Sequence, residues 1–197
     1  MNARKYHRLF GMLLMLPMVG WVLTGAIFML KPGYGDAYAP LSVKTYPIEA
    51  PLTITPDDSW REMKLVRTTL GRHLLISAEE SALHLDPDSG AEYLLPSEAD
   101  LMLLINDAIS HNRARYGQVG RISNGVVYTS TGVEITLNWP TLSLQQKGDD
   151  TRLINQLYKV HYLQWTPSEL LNRFVALLGL GLLFSLTVFG IRLLLTR

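Results

Sequence analysis

Cysteine is absent from all 197 residues. No disulfide can staple the chain in an oxidising compartment, and thiolate zinc or iron–sulfur centres are excluded. Any folded part must therefore be held by an ordinary apolar core. Acid is missing too, but only locally. All 17 Asp and Glu fall within residues 31–169, where they meet 12 Lys and Arg and leave a net charge of −5. The six other basic residues, Arg4, Lys5, Arg8, Arg173, Arg192 and Arg197, have no acid among them. An acidic middle argues against nucleic acid as a partner, since that needs a basic face on the folded part. Reactive constellations are scarce as well. No serine stands in a Gly-x-Ser-x-Gly elbow, and no glycine-rich nucleotide loop occurs. The adjacent pairs Asp57-Asp58, Glu79-Glu80 and Asp149-Asp150 suit solvated turns better than acid–base couples. No catalytic residue is expected, and catalysis by this chain alone is not.

What the chain has in plenty is apolar sequence at both ends. Residues 9–30 form an uncharged run of 22, interrupted only by Pro17, Thr24 and three glycines. At 1.5 Å per residue such a helix reaches across about 30 Å of hydrocarbon. Residues 174–191 nearly repeat this with 18, bracketed by Arg173 and Arg192. The first run is longer than the apolar stretch of a signal peptide, and Pro40 follows the small-x-small sequence Ala37-Tyr38-Ala39, so an uncleaved anchor is expected. Basic residues before the first span and after the second predict two cytoplasmic tails and a translocated centre. In a Gram-negative bacterium this is an inner-membrane protein with a periplasmic domain. The expected layout is a basic tail (1–8), a first transmembrane helix (9–30), a periplasmic domain (31–165), a second transmembrane helix with its lead-in (166–192) and a cytoplasmic tail (193–197).

Between the spans, five prolines in residues 31–56 predict an extended lead-in with one edge strand at most. Strands are expected over 63–69 and 73–77 around a Gly71-Arg72 turn. Two more are expected over 82–86 and 92–95, around Asp86-Pro87-Asp88-Ser89-Gly90, where proline presets one φ and glycine frees another. Ser97 caps a helix through Asp100, with Leu101, Leu104, Ile105, Ala108 and Ile109 on one stripe. Strands return over 126–129, 133–137 and 142–145, and residues 151–164 read as a second amphipathic helix. The order predicts an α+β fold, an antiparallel sheet with a helix packed on it, flanked by two transmembrane α-helices.

Three segments carry a likeness to a known family. They are Arg4-Lys5-Tyr6-His7-Arg8-Leu9-Phe10-Gly11 running into the first span, and the turn Leu85-Asp86-Pro87-Asp88-Ser89-Gly90. The third is Leu157-Tyr158-Lys159-Val160-His161-Tyr162-Leu163-Gln164-Trp165, followed by Asn172-Arg173 and an apolar helix. In this order they resemble the PepSY-associated transmembrane proteins, whose soluble module is a small α/β PepSY domain. Larger relatives have four or more spans and include iron-regulated membrane proteins and haem-containing siderophore-iron reductases. The resemblance implies a PepSY-like domain and an accessory or electron-transfer role in siderophore-iron uptake. It also implies haem b as the cofactor, with His7 and His161 as ligand candidates.

The residues themselves leave more than one reading. His73, His84 and His111 have no metal-ligand spacing and suit exposed or hydrogen-bonded imidazoles. His7 and His161 sit at membrane boundaries, where an imidazole without a partner is costly. They stand about 30 Å apart if both helices cross normally, too far for one haem. A homodimer would pair each with its own counterpart, and Gly20 with Thr24 or Gly181 with Ser185 would allow close helix contact. Alternatively, His7 belongs to the basic flank and His161 hydrogen-bonds locally. A second function is equally open: the domain docks a periplasmic peptide or peptidase by strand addition, and the helices only tether it. A third is a subunit of a larger membrane complex with no ligand of its own.

Overall fold

The computed structural model describes residues 3–49, 51, 53–79 and 81–196. The chain divides into two compact units, one made of both termini up to Gly35 and from Asp150, the other of Asp36–Asp149.

The terminal unit contains α1 (Ala3–Leu30), α5 (Asp149–His161) and α6 (Glu169–Leu195). Both α1 and α6 are long and apolar enough to cross a membrane. Only 11% of the most apolar stretch of α1 and 6% of that of α6 are buried. A core helix of a water-soluble protein would hide far more, whereas here Leu16, Val22, Leu177 and Phe184 all point outward. The two helices run antiparallel. Near one end His7 lies against Gly190, and further along Gly11 faces Leu186 and Trp21 faces Gly179. Gly20 and Thr24, expected to serve contact between copies, are used inside the chain: Gly20 abuts Val160 and Thr24 bonds His161. Ser185 bonds its own helix at Gly181 O. The α5 helix ends in a Schellman turn, with Gln164 N–H donating to Lys159 O (2.8 Å) and Leu163 N–H to Val160 O (3.3 Å). Leu163 takes the left-handed conformation (φ +55°) that glycine usually occupies there, and its buried side chain packs on the bare face of Gly179.

The central unit is α+β. Its first sheet is antiparallel with order β1-β2-β3: β1 (Trp60–Thr68), β2 (Gly71–Ala78) and β3 (Ala82–Leu85). After α3 (Glu98–Ala108), a 3-10 turn and α4 (Arg113–Tyr116) comes a second antiparallel sheet, β4-β5-β6-β7, of Val119–Ser123, Val126–Thr129, Glu134–Asn138 and Ser143–Lys147. A single sheet was expected; there are two. The chain leaves β3 by the Asp86–Gly90 turn, and the expected strand over 92–95 shrinks to one bridge, Leu85 with Glu92. The lead-in holds a short helix, α2 (Tyr34–Ala37), and one bridge, Ser42 with Ser143.

Both sheets share α3. Its Leu101, Ile105 and Ala108 pack with Ile109, Tyr116, Val127, Ile135 and Leu144, while Leu104 joins Val66, Trp139 and Leu142. Ser97 caps the helix as expected, its Oγ accepting from Asp100 N–H at 3.2 Å. The Asp86 turn also closes as expected, Gly90 N–H donating to Asp86 O (2.8 Å) with Gly90 at φ +70°. The first hairpin turns at Thr69-Leu70 rather than Gly71-Arg72, because Thr68 Oγ1 accepts from Leu70 N–H (3.0 Å) and Thr68 already pairs with Gly71.

Gly117 ends α4 at φ +64° and ψ −122°, and a Cβ there would fall 2.1 Å from Ser130 Oγ. That Oγ in turn accepts from Gln118 N–H (3.0 Å), so it is not free to swing away without loss. Gly117→Ala is expected to lower the stability of the central unit by about 3 kcal/mol, measured by denaturant unfolding. A change below about 0.5 kcal/mol would contradict this account of the turn.

Candidate functional site

Both units hold histidine-centred constellations, two in the terminal unit and one in the central unit. In the terminal unit, His161 closes the last turn of α5. Trp21 Nε1 donates to its carbonyl oxygen at 2.7 Å, and its Nδ1 lies 2.8 Å from Thr24 Oγ1. The same Oγ1 lies 2.6 Å from Gly20 O. A carbonyl only accepts, so the threonine proton goes to Gly20 O, and Oγ1 is left to accept from His161 Nδ1–H. The neutral ring then carries its lone pair on Nε2. No hydrogen bond holds that nitrogen among the described residues. The imidazole meets Phe28 edge-on (5.2 Å between centroids), and Phe28 stacks on Tyr158 at 4.5 Å. His161 also lines a cavity of about 380 Å³, whose other walls are Trp21, Tyr162, Leu163, Ala176, Leu180 and Leu183. This lies in the size range of small-ligand sites, and its walls are mostly apolar. On the α5 face that carries His161, Ile154 is buried and Tyr158 stacks on Phe28, whereas Trp165 lies past the helix end and is exposed.

His7 repeats the pattern toward the other end of α1. Its Nδ1 lies 3.1 Å from Leu186 O, and because a carbonyl accepts, Nδ1 carries the proton and Nε2 the lone pair. Gly190 leaves the room, since a Cβ there would come within 3.3 Å of His7 Cε1. Tyr6, Phe10 and Phe189 cluster beside it with centroids about 6 Å apart. His7 and Thr24 are 17 residues apart on one helix, about 25 Å along its axis, so the two imidazoles are separate sites. Both rings nonetheless share one feature of metal-ligating histidines: one nitrogen is fixed by a donated hydrogen bond and the other is left to bind. Among the described residues no group of three His, Cys, Asp or Glu gathers to hold a metal.

In the central unit, His73 and His84 form a buried pair that sequence spacing did not reveal. Thr68 Oγ1 lies 2.8 Å from His73 Nε2, His73 Nδ1 lies 2.9 Å from His84 Nε2, and His84 Nδ1 lies 2.8 Å from Trp139 O. The terminal carbonyl fixes every proton. His84 Nδ1–H donates to Trp139 O, so His84 Nε2 accepts from His73 Nδ1–H, and His73 Nε2 accepts from the Thr68 hydroxyl. Two neutral rings satisfy the whole relay. Tyr93 stacks on His73 at 4.8 Å, and the Trp139 ring lies 4.3 Å from that of His84. Burial, then the neighbouring His84, hold the His73 pKa down to about 4 against a weaker pull from Asp86; burial also lowers that of His84. The pair is thus a neutral structural core with no open nitrogen. His111, by contrast, hydrogen-bonds Ala108 O (2.8 Å) and meets the Tyr116 ring edge-on.

No family model, no curated protein and no solved structure matches this chain.

Proposed function

We propose that this chain is a PepSY-type inner-membrane protein that acts as an accessory or electron-transfer subunit in siderophore-iron uptake. In this reading both tails are cytoplasmic and the central unit periplasmic. The observation that carries it is the matched state of His7 and His161: each ring is fixed through Nδ1 and keeps a lone pair on Nε2. An apolar cavity beside the His161 ring, with Thr24 orienting the imidazole and Trp21 holding the local backbone, supports haem b as its ligand. His7 fits as a ligand steadied by Leu186 O beside an aromatic cluster. Haem held there supplies a one-electron carrier. The chain's own residues fix the tautomers and keep the two sites about 25 Å apart along α1. Each site offers one imidazole, so any further ligand to such a group would come from another copy of the chain or a larger membrane partner.

The test is spectroscopic. Full-length protein, expressed with a haem precursor and purified in mild detergent, is expected to show a Soret band and sharp bands on reduction. A preparation that stays colourless after haem b is added would overturn the electron-transfer reading.

A further inference from the structure

The central unit carries a groove that the histidine sites do not use. It encloses about 950 Å³ between the outer side of α3 (Ala99, Met102, Leu103, Asn106) and the segment Arg113 to Val119 that leads into β4. Met102 and Leu103 are exposed to solvent at 38% and 51%. One rim of the groove is the outermost strand of its sheet, since the order runs β4-β5-β6-β7. The open side of β4 can be identified from its hairpin. Ser123 pairs with Val126 across the two-residue turn Asn124-Gly125, whose φ values are +51° and +74°. A pair flanking such a turn exchanges hydrogen bonds, so the next pair, Ile122 with Val127, does not. The N–H and C=O of Ile122 therefore point away from β5, toward the free edge.

Charge singles out the occupant. Among the described residues, Arg113 is the one charged residue lining the groove. Its guanidinium donates to Asn106 Oδ1 (3.0 Å), Gly117 O (3.0 Å) and Asn106 O (3.4 Å), all neutral acceptors. No carboxylate lies within ion-pair distance of it among the described residues. On β4 itself the only charged side chain is another cation, Arg121, lying over the Tyr128 ring at 4.5 Å. A cation held in place by neutral acceptors still carries its full charge and is ready for a carboxylate.

We propose that this groove binds an extended, acidic segment of a partner protein. The segment pairs with β4 as an added strand, sets apolar side chains against Met102 and Leu103, and places a carboxylate on Arg113. A second copy of this chain is the less fitting occupant, because edge-to-edge pairing would bring basic β4 strands together.

The experiment uses the full chain in nanodiscs and a library of end-blocked octapeptides in which every position is randomised. Bound peptides are expected to be enriched at least tenfold in Asp or Glu at one position, with apolar residues two places away. Arg113→Gln should remove the acid preference while retaining the apolar one. Methylating alternate backbone nitrogens of an enriched peptide should abolish binding in one register and spare it in the other, as strand addition requires. Absence of enrichment, an acid preference unchanged in Arg113→Gln, or equal binding of both methylated forms would overturn the proposal. So would crosslinking of Arg121→Cys between two copies that blocks every peptide, which would assign the edge to self-association. None of these readouts depends on haem.

Discussion

Replacing His161 with alanine is expected to remove haem from its end of the helix pair and leave the His7 site loaded. Haem content should fall by about half, and the His7→Ala, His161→Ala double variant should carry none; each site depends on its own imidazole. Thr24→Val gives the sharper test, because it keeps the ligand and removes the acceptor of its Nδ1–H, together with the threonine's own bond to Gly20 O. Losing such an orienting bond to a ligand histidine costs about 10–100-fold in affinity. Thr24→Val should therefore bind haem, but release it at lower competing apo-myoglobin concentrations than the parent. Full absorbance in His161→Ala would end the role assigned to this residue, whatever the variant's fold.

The second large effect concerns pH. His73 titrates near 6.5 when unfolded and near 4 when folded, so the unfolded chain binds the extra proton first. The stability that this neutral ring contributes is fully present above pH 6.5 and is lost as pH falls toward 4. The loss amounts to about 2 kcal/mol by pH 5 and about 3 kcal/mol below pH 4. His84 adds to it in the same direction. Asp86 and Asp57 are also held below their usual range, and their effects come in at still lower pH, clear of this window. Hydrogen exchange at the buried Leu74 and Ile76, corrected for intrinsic rates, should show the loss between pH 7 and 5. His73→Gln should flatten the slope. An unchanged slope in that variant, or a flat profile in the parent, would contradict the neutral relay.

Much of the terminal unit was legible because its signals are local. Uncharged runs with basic flanks define α1 and α6, and the amphipathic pattern over residues 151–164 falls largely on α5. In the centre, the Ser97 cap and the Asp86 turn are also local and appear where expected. The His73–His84 relay was hidden for a physical reason. Register places His84 opposite Leu75, diagonal to His73, and the third member, Trp139, comes from the end of β6 far along the chain. Neither the register nor that long-range contact is written in spacing. The start of the second sheet is different, since Asn124-Gly125 is a strong hairpin signal and should have revealed β4 before Val126. Two sheets replaced one because α3 buries residues toward both, Leu104 on one side and Ile105 on the other, which a single stripe of apolar positions does not disclose.

Lipid around α1 and α6, with the central unit on the outer side, is the premise of the proposed function. The chain has no cysteine, so single cysteines introduced at Ser89 and Thr196 report topology without background. In intact spheroplasts a membrane-impermeant maleimide should label Ser89→Cys at once and Thr196→Cys only after the membrane is opened. Labelling in the reverse order, or of both sites alike before opening, would contradict it.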